Sequence, residues 1–127
     1  KTIQVEALTA SKMARNEIFP ACLTYLKNIS KTLESLRENK INNEYLFREV
    51  SDLSNLLNKM KSAMDKLDEK IKKARSIKNN IYQAAMIWRD DVLVSMNELR
   101  FVADILETKV DEAYWPMPSY IDLLYGI

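Results

Sequence analysis

Few residues of this chain belong to the types that carry out chemistry in proteins. The sequence contains no histidine, so the commonest general base and the commonest metal ligand are both missing. Its single glycine is Gly126, which excludes a glycine-rich loop that would cradle a phosphate. The single cysteine, Cys22, lies on the apolar face of a predicted helix, and no neighbour in sequence would lower its pKa. We therefore expect a small buried side chain there rather than a nucleophile.

Acidic residues occur in adjacent pairs that could in principle hold a metal ion: Asp90 with Asp91, and Asp111 with Glu112. Neighbouring residues of a helix point to different sides of it, so we expect these carboxylates to be solvated. Glu107, Asp111 and Glu112 place negative charge at the C-terminus of a predicted helix, against the helix dipole. They face either basic groups of a partner or water. We predict no catalytic, cofactor-binding or metal-binding residue in the chain.

A run of basic residues from Lys70 to Lys78 raises the question of RNA or anionic lipid as a partner. The run lacks interleaved aromatic residues, and the formal net charge is only +1. A solvated helix end is therefore the better interpretation. We expect neither nucleic acid nor a membrane as a partner.

The composition of the 127 residues favours a single all-helical domain. One glycine and three prolines are too few for the turns of a typical β-sheet protein. One cysteine excludes an intramolecular disulfide and suits a reducing cytoplasm, where we expect the protein to be. No apolar run approaches the ~18 residues that cross a bilayer. The sequence begins with Lys1 rather than methionine, which suggests a piece of a larger protein.

Hydrophobic periodicity predicts three long helices at about 2–38, 44–75 and 80–113. In the second, apolar residues recur at alternating steps of four and three, which is the heptad pattern of a coiled coil or bundle. Pro20 should kink or split the first helix, and Asn43 and either Asn79 or Asn80 should cap the second and third. The seam of the third helix, which starts with Ile81 and Ala85, drifts near Ser95 and Met96, as in a straight helix.

Three such helices bury their apolar stripes by folding antiparallel. We predict an all-α, antiparallel three-helix bundle with a long, coiled-coil-like helical hairpin and a proline-containing C-terminal tail. The residues that we expect to be buried in the hairpin are Leu53, Leu57, Met60, Leu67, Trp88, Val92, Leu99 and Leu106.

The tail, residues 114–127, is apolar and would favour aggregation if it were loose, so we predict that it docks on another surface. Two prolines fix the backbone and reduce the entropy lost when the segment is ordered. Tyr120, Leu123 and Leu124 have the spacing of one face of a last helical turn. The predicted docking residues are Trp115, Pro116, Pro118, Tyr120, Leu123 and Leu124.

Two motifs of the chain are distinctive. The segment 111–125 has an acidic pair, a Trp-Pro-x-Pro-x-Tyr core and a Leu-Leu-aromatic finish, and it resembles the carboxyl terminus of type III glutamine synthetases. Ile18-Phe19-Pro20-Ala21 followed by Tyr25 resembles the family's helix with an Ile-Leu-Pro-Ala-type motif and a tyrosine. The chain departs from the family at Ala113-Tyr114, where an acidic residue and leucine are more frequent, and at Ser119, where lysine is common.

This resemblance implies that the chain is the helical C-terminal region of a larger enzyme. Enzymes of that family join ammonia to glutamate by way of a γ-glutamyl phosphate made from ATP, with divalent metal ions such as Mg²⁺ in the site. The family's catalytic and metal-binding residues belong to the upstream domain, so none can be placed on this chain. The implied partners are the catalytic domain of the parent chain and further copies in a homo-oligomer. The domain would then support assembly or position the catalytic domain.

A free-standing three-helix interaction module is the alternative. Such a module should have a complete core and a soluble tail, whereas a domain cut from an enzyme should leave an apolar surface where its neighbour belonged. The residues that precede Lys1 would distinguish the two hypotheses.

Overall fold

A computed structural model describes residues 2–116 of the chain. Its elements are α1 (Thr2–Met13), a π-helical turn π1 (Ala14–Ile18), α2 (Phe19–Glu38), α3 (Glu44–Ser76), α4 (Ile81–Met86), a second π-helical turn π2 (Ile87–Val92), α5 (Leu93–Lys109) and a 3₁₀ turn (Glu112–Tyr114). We call α1, π1 and α2 the first helix, α3 the second helix, and α4, π2 and α5 the third helix. Residues 2–116 contain no strand, so the predicted all-α bundle is confirmed.

Asparagine side chains begin the second and third helices. The Oδ1 atom of Asn43 accepts a hydrogen bond from the N–H of Leu46 at 2.9 Å, and that of Asn80 accepts one from Gln83 at 3.0 Å. Each bond satisfies a backbone donor that the first turn of a helix leaves unpaired. The predicted cap at Asn43 is confirmed, and Asn80 rather than Asn79 caps the third helix.

The first helix ends in a Schellman motif. The N–H of Ile41 bonds to the carbonyl of Leu36 at 2.8 Å, and that of Lys40 bonds to Arg37 at 3.0 Å. Lys40 has φ of 60°, in the left-handed region where a residue with a Cβ atom is disfavoured by about 1–2 kcal/mol. The chain then turns directly into the second helix.

A π turn precedes Pro20 in the first helix. Proline has no N–H for the carbonyl four residues before it, so a regular α-helix would lose a bond here. In π1 the N–H of Phe19 reaches back five residues to the carbonyl of Ala14, as in a π turn. Met13 and Ile18 keep helical backbone angles. Pro20 thus coincides with a split of the first helix into α1 and α2.

The second π turn corrects our explanation of the drift in the third helix. In π2 the N–H of Leu93 bonds to the carbonyl of Trp88, again five residues back. A turn of this kind inserts one extra residue and rotates the following side chains relative to the seam. The new seam therefore begins at Ser95 and Met96 because of π2, and not because a straight helix departs slowly from a heptad.

Two side-chain contacts fix the register of the bundle. Ser11 of the first helix donates to Asp68 of the second at 2.5 Å, and Lys66 of the second pairs with Glu98 of the third at 3.0 Å. The second helix packs against both others, and it runs antiparallel to them. The first and third helices consequently run parallel, with Ser11 roughly level with Met96.

A single hydrophobic cluster, which we call the main core, joins the three helices. Of the eight residues predicted to be buried in the hairpin, seven are buried, whereas Trp88 is only half-buried against the main core. Trp88 is roughly level with the first turn that is described for the first helix. Ile81 and Ala85, which we placed on the seam of the third helix, are exposed. They lie beyond the level of Thr2, from which the first helix is described.

The third helix ends at Lys109, four residues before the predicted end at 113. Val110 has φ of −90° and ψ of 137°, which is extended backbone, and its side chain is buried. Asp111 then accepts a hydrogen bond from the N–H of Ala113 at 2.9 Å and caps the 3₁₀ turn. Its negative charge therefore lies at the start of a new turn, where the dipole favours it, instead of opposing the dipole of the third helix.

Candidate docking surfaces

The 3₁₀ turn attaches the start of the predicted tail to the first helix. The rings of Tyr114 and Tyr25 meet edge to face, with centroids 5.2 Å apart and planes at 64°. The side-chain amide of Asn28 donates a hydrogen bond to the hydroxyl of Tyr114. Trp115 is half-buried and packs against the main core. The chain is thus held at the middle of α2 immediately before Pro116.

The environment of Tyr25 favours the neutral form of its phenol. Partial burial raises the pKa of Tyr25, and the negative charges of Asp111 and Glu49 raise it further. A neutral ring without a phenolate charge suits the edge-to-face contact with Tyr114. Sequence periodicity places Tyr25 on the inner stripe of the first helix but gives no sign of its partner, because the contact joins residues far apart in the chain.

Of the six predicted docking residues, two lie in the described part of the chain. Trp115 is half-buried, and Pro116 is exposed. Pro118, Tyr120, Leu123 and Leu124 lie outside the described residues, as does the predicted last helical turn. Their docking stays a prediction.

One end of the bundle carries exposed apolar side chains on α4, and we call this surface the α4 patch. Its large residues are Ile81, Tyr82 and Met86, of which the first two are 83% and 84% exposed. Thr2 lies nine residues before Ser11, so the first helix begins roughly level with Ile87. In the described chain the first helix thus does not reach α4, and the apolar side chains of α4 face solvent.

At the opposite end the described chain has only α2 and α3, and we call residues 29–38 and 44–52 the two-helix end. Leu33 is buried there. Around it, Leu36, Leu46 and Val50 are half-buried, and Phe47 is 47% exposed. The guanidinium of Arg37 lies 5.2 Å from the centre of the Phe47 ring.

A polar cluster between the first and second helices was not anticipated from the sequence. Arg15 forms an ion pair with Asp68, and it also donates to Ser11 at 3.3 Å. Ser11 in turn donates to Asp68. The only sign in the sequence is that Ser11 lies among the small residues Ala7, Ala10 and Ala14. Because every member has a partner, the cluster fixes helix register and holds no idle polar group.

Cys22, Asp90 and Asp111, which we considered above as a nucleophile or as metal ligands, are buried or have partners within the fold. Cys22 is fully buried, and burial raises the pKa of its thiol from an ordinary 9.0 to about 11. Asp90 pairs with Arg89 at 3.2 Å, and Asp111 serves as a cap. Within residues 2–116 no group of three or more acidic or cysteine side chains could hold a metal ion.

The basic run from Lys70 to Lys78 includes the C-terminal end of the second helix, and its basic side chains there are exposed. Lys72, Lys73 and Arg75 are all exposed, and basic groups in the last turn complement the helix dipole. None of the helices described between residues 2 and 116 is long and apolar enough to cross a membrane.

Comparison with known proteins places this helical bundle beside one class of enzyme. The chain is 26% identical over 131 residues to the type-3 glutamine synthetase of Dictyostelium discoideum, a match covering 98% of this chain. It is 28% identical over 130 residues to a glutamine synthetase of Butyrivibrio fibrisolvens, covering the whole chain. It is 25% identical over 128 residues to one of Bacteroides fragilis, covering 97%. No family model matches the chain, and no solved structure matches it significantly.

In each of these three relatives the match covers only 18% of the relative's length. The chain thus matches a C-terminal region of glutamine synthetases, the type III enzyme among them, as the tail and first-helix motifs indicate. The resemblance stated from the sequence is confirmed.

Proposed function

We propose that this chain is the non-catalytic C-terminal helical domain of a type III glutamine synthetase. The parent enzyme would ligate ammonia to glutamate in the cytoplasm with ATP and Mg²⁺, using residues outside this chain. The helical domain would position the catalytic domain and support assembly of a homo-oligomer. The similarity to glutamine synthetases along almost the whole chain supports this proposal.

The roles of the titratable side chains support the non-catalytic part of the proposal. Cys22 is buried and its thiol is held neutral, so it is a poor nucleophile. Asp68 is paired with Arg15 across two helices, and Asp111 closes a turn. Each of these groups is buried or has a partner within the fold. A catalytic group would instead have to be free to contact a substrate.

The α4 patch is the observation that carries the docking role. Tyr82 and Met86 are four residues apart and share one face of α4, and Ile81 lies beside them. A large exposed apolar surface on a soluble domain usually marks a contact with another protein surface. The first helix is described from Thr2, roughly level with Ile87, so the polypeptide that leads into Thr2 in the parent enzyme would arrive beside α4. We therefore assign the α4 patch to contact with the catalytic domain.

The test replaces the patch in the full-length parent enzyme with Tyr82→Asp and Met86→Asp together. Burying two carboxylates in an apolar contact without partners is strongly unfavourable. We expect the enzyme to lose assembled mass in light scattering and to lose glutamine formation. Phe101→Asp is the matched control, because Phe101 is 67% exposed on the same helix but lies outside the patch. The control should keep both mass and activity.

A second control separates docking from folding. In the isolated 127-residue chain the patch residues are exposed, so Tyr82→Asp with Met86→Asp should leave the melting temperature nearly unchanged. Normal assembly and activity of the doubly substituted enzyme would refute the docking role. A stretch without a glutamine synthetase sequence before Lys1 would favour the free-standing interaction module instead.

A further inference from the structure

The third helix is too short to cover the whole of the other two. From Glu98, which pairs with Lys66, it continues for eleven residues to Lys109. Because the helices are antiparallel, its end is roughly level with Asn55, eleven residues before Lys66. Past this level residues 110–116 reach only as far as Tyr25 and Asn28, and beyond them the described chain has only α2 and α3 side by side, which is the two-helix end.

The two-helix end exposes apolar side chains that a third layer would cover. Leu33 is buried but stands apart from the main core in the described structure. Leu36, Leu46 and Val50 are half-buried. Ile41, Tyr45 and Phe47 are also exposed at this end, but Tyr45 and Phe47 point to opposite sides of α3, so one layer would cover only one of them. A pair of helices cannot bury apolar stripes as fully as a bundle of three can.

The described chain stops beside this surface. Tyr114 is fixed on Tyr25 and Asn28, which lie in the turn of α2 directly before the two-helix end. Trp115 has φ of −75° and ψ of 124°, so the backbone leaves the 3₁₀ turn in an extended conformation. Residues 117–127 therefore start at the edge of the uncovered groove.

We propose that residues 117–127 bind across the two-helix end and complete it as a third layer. From Tyr25 to Glu38 the first helix rises about 20 Å at 1.5 Å per residue. Eleven residues span at most about 36 Å when extended, so the segment reaches the far end. Its composition fits an apolar groove, since Asp122 is its one charged side chain and these seven are apolar or aromatic: Met117, Tyr120, Ile121, Leu123, Leu124, Tyr125 and Ile127.

The segment of the same chain is favoured over a second copy because it is tethered at the groove. A short tether gives an effective concentration in the millimolar range, far above that of a second molecule in dilute solution. The anchor formed by Tyr114 and Asn28 also fixes where the segment starts. This inference goes beyond the proposed function and does not depend on it, because it concerns the domain alone.

Hydrogen exchange tests the proposal on the 127-residue chain and on a chain truncated after Pro116. We expect truncation to speed exchange at least several-fold in peptides from residues 29–38 and 44–52. Peptides from residues 60–74 and 95–106, in the main core, should exchange as before. Unchanged exchange at the two-helix end, or equal acceleration in both regions, would overturn the proposal.

Substitutions and a mass measurement distinguish binding of the chain's own residues 117–127 from binding of a second copy. Leu123→Asp with Leu124→Asp should reproduce the local acceleration, whereas Ser119→Asp, which adds a charge at a polar position of the same segment, should not. Light scattering should give the mass of a monomer for the full chain. A dimer that dissociates on truncation would show that the segment binds a second copy, and it would overturn the placement within one chain.

Discussion

Cys22 is fully buried in the main core, and this makes its reactivity a measure of opening of the bundle. Since burial raises its pKa from 9.0 to about 11, the folded chain holds about 100-fold less thiolate at pH 8 than an ordinary thiol would. We predict that a water-soluble disulfide reagent modifies Cys22 at pH 8 at least ~100-fold more slowly in the folded chain than in denaturant.

The stability that Cys22 contributes depends on pH with a definite sign. Between pH 9 and 11 the thiol of the unfolded chain loses its proton while the folded one keeps it, so the stability that Cys22 contributes is present below pH 9 and falls as the pH rises. Equal reaction rates in the folded and denatured chains would contradict burial of the thiol.

Leu57 lies at the centre of the second helix and is 4% exposed. We predict that Leu57→Ala lowers the free energy of unfolding by roughly 2–5 kcal/mol, because it removes buried methyl groups and leaves a cavity. Denaturant unfolding followed by circular dichroism measures the change. Asn58→Ala, at an exposed neighbouring position, should change it by less than about 0.5 kcal/mol. Similar effects of the two substitutions would place Leu57 outside the core.

At the level of the helices, the Schellman motif after α2 offers a stabilising change. Lys40 has positive φ, which glycine adopts without the steric cost of a Cβ atom. We predict that Lys40→Gly raises the free energy of unfolding by about 0.5–1 kcal/mol, after the extra entropy of glycine in the unfolded chain is subtracted. Lys40→Val, with a branched side chain at the same angle, should lower it. Opposite signs would show that Lys40 is not in the left-handed conformation.

The sequence predicted the helices more completely than it predicted which of their surfaces are covered by other segments. Asn43 and the seam through Leu53 follow from capping and periodicity, which are properties of one helix. The exposure of Ile81 depends instead on which neighbouring segment reaches α4, and the contact of Tyr114 with Tyr25 joins distant positions. Such features depend on the relative lengths and register of neighbouring helices. The π turn before Ser95 likewise appeared in the sequence only as a drift of the seam.

For the whole molecule, the proposed role predicts that the isolated chain has no activity of its own. The parent's substrates would bind residues outside this chain, so we predict that titration with ATP and Mg²⁺ in a calorimeter gives no saturable heat. The chain should also form no glutamine from glutamate and ammonia. The full-length parent enzyme, under the same conditions, is the positive control. A stoichiometric binding curve with the isolated chain would contradict the assignment.

The two ends of the bundle have different proposed partners. The α4 patch would contact the catalytic domain of the parent chain, and the two-helix end would bind residues 117–127. Both surfaces arise from the same cause, because the first and third helices are offset along the second. The core residues between them, such as Met60 and Leu67, are fully buried by the chain itself. Within residues 2–116 the core is closed at the middle of the bundle, and an apolar surface is left at each end.

Hydrogen exchange at α4 tests the central claim most directly. The exchange of residues 81–92 is measured in the isolated chain and in the full-length parent enzyme, with residues 60–74 as the internal reference. If the α4 patch is covered by the catalytic domain, residues 81–92 should exchange at least several-fold more slowly in the full-length enzyme, and the reference should not change. Equal exchange of residues 81–92 in the two proteins would contradict the account.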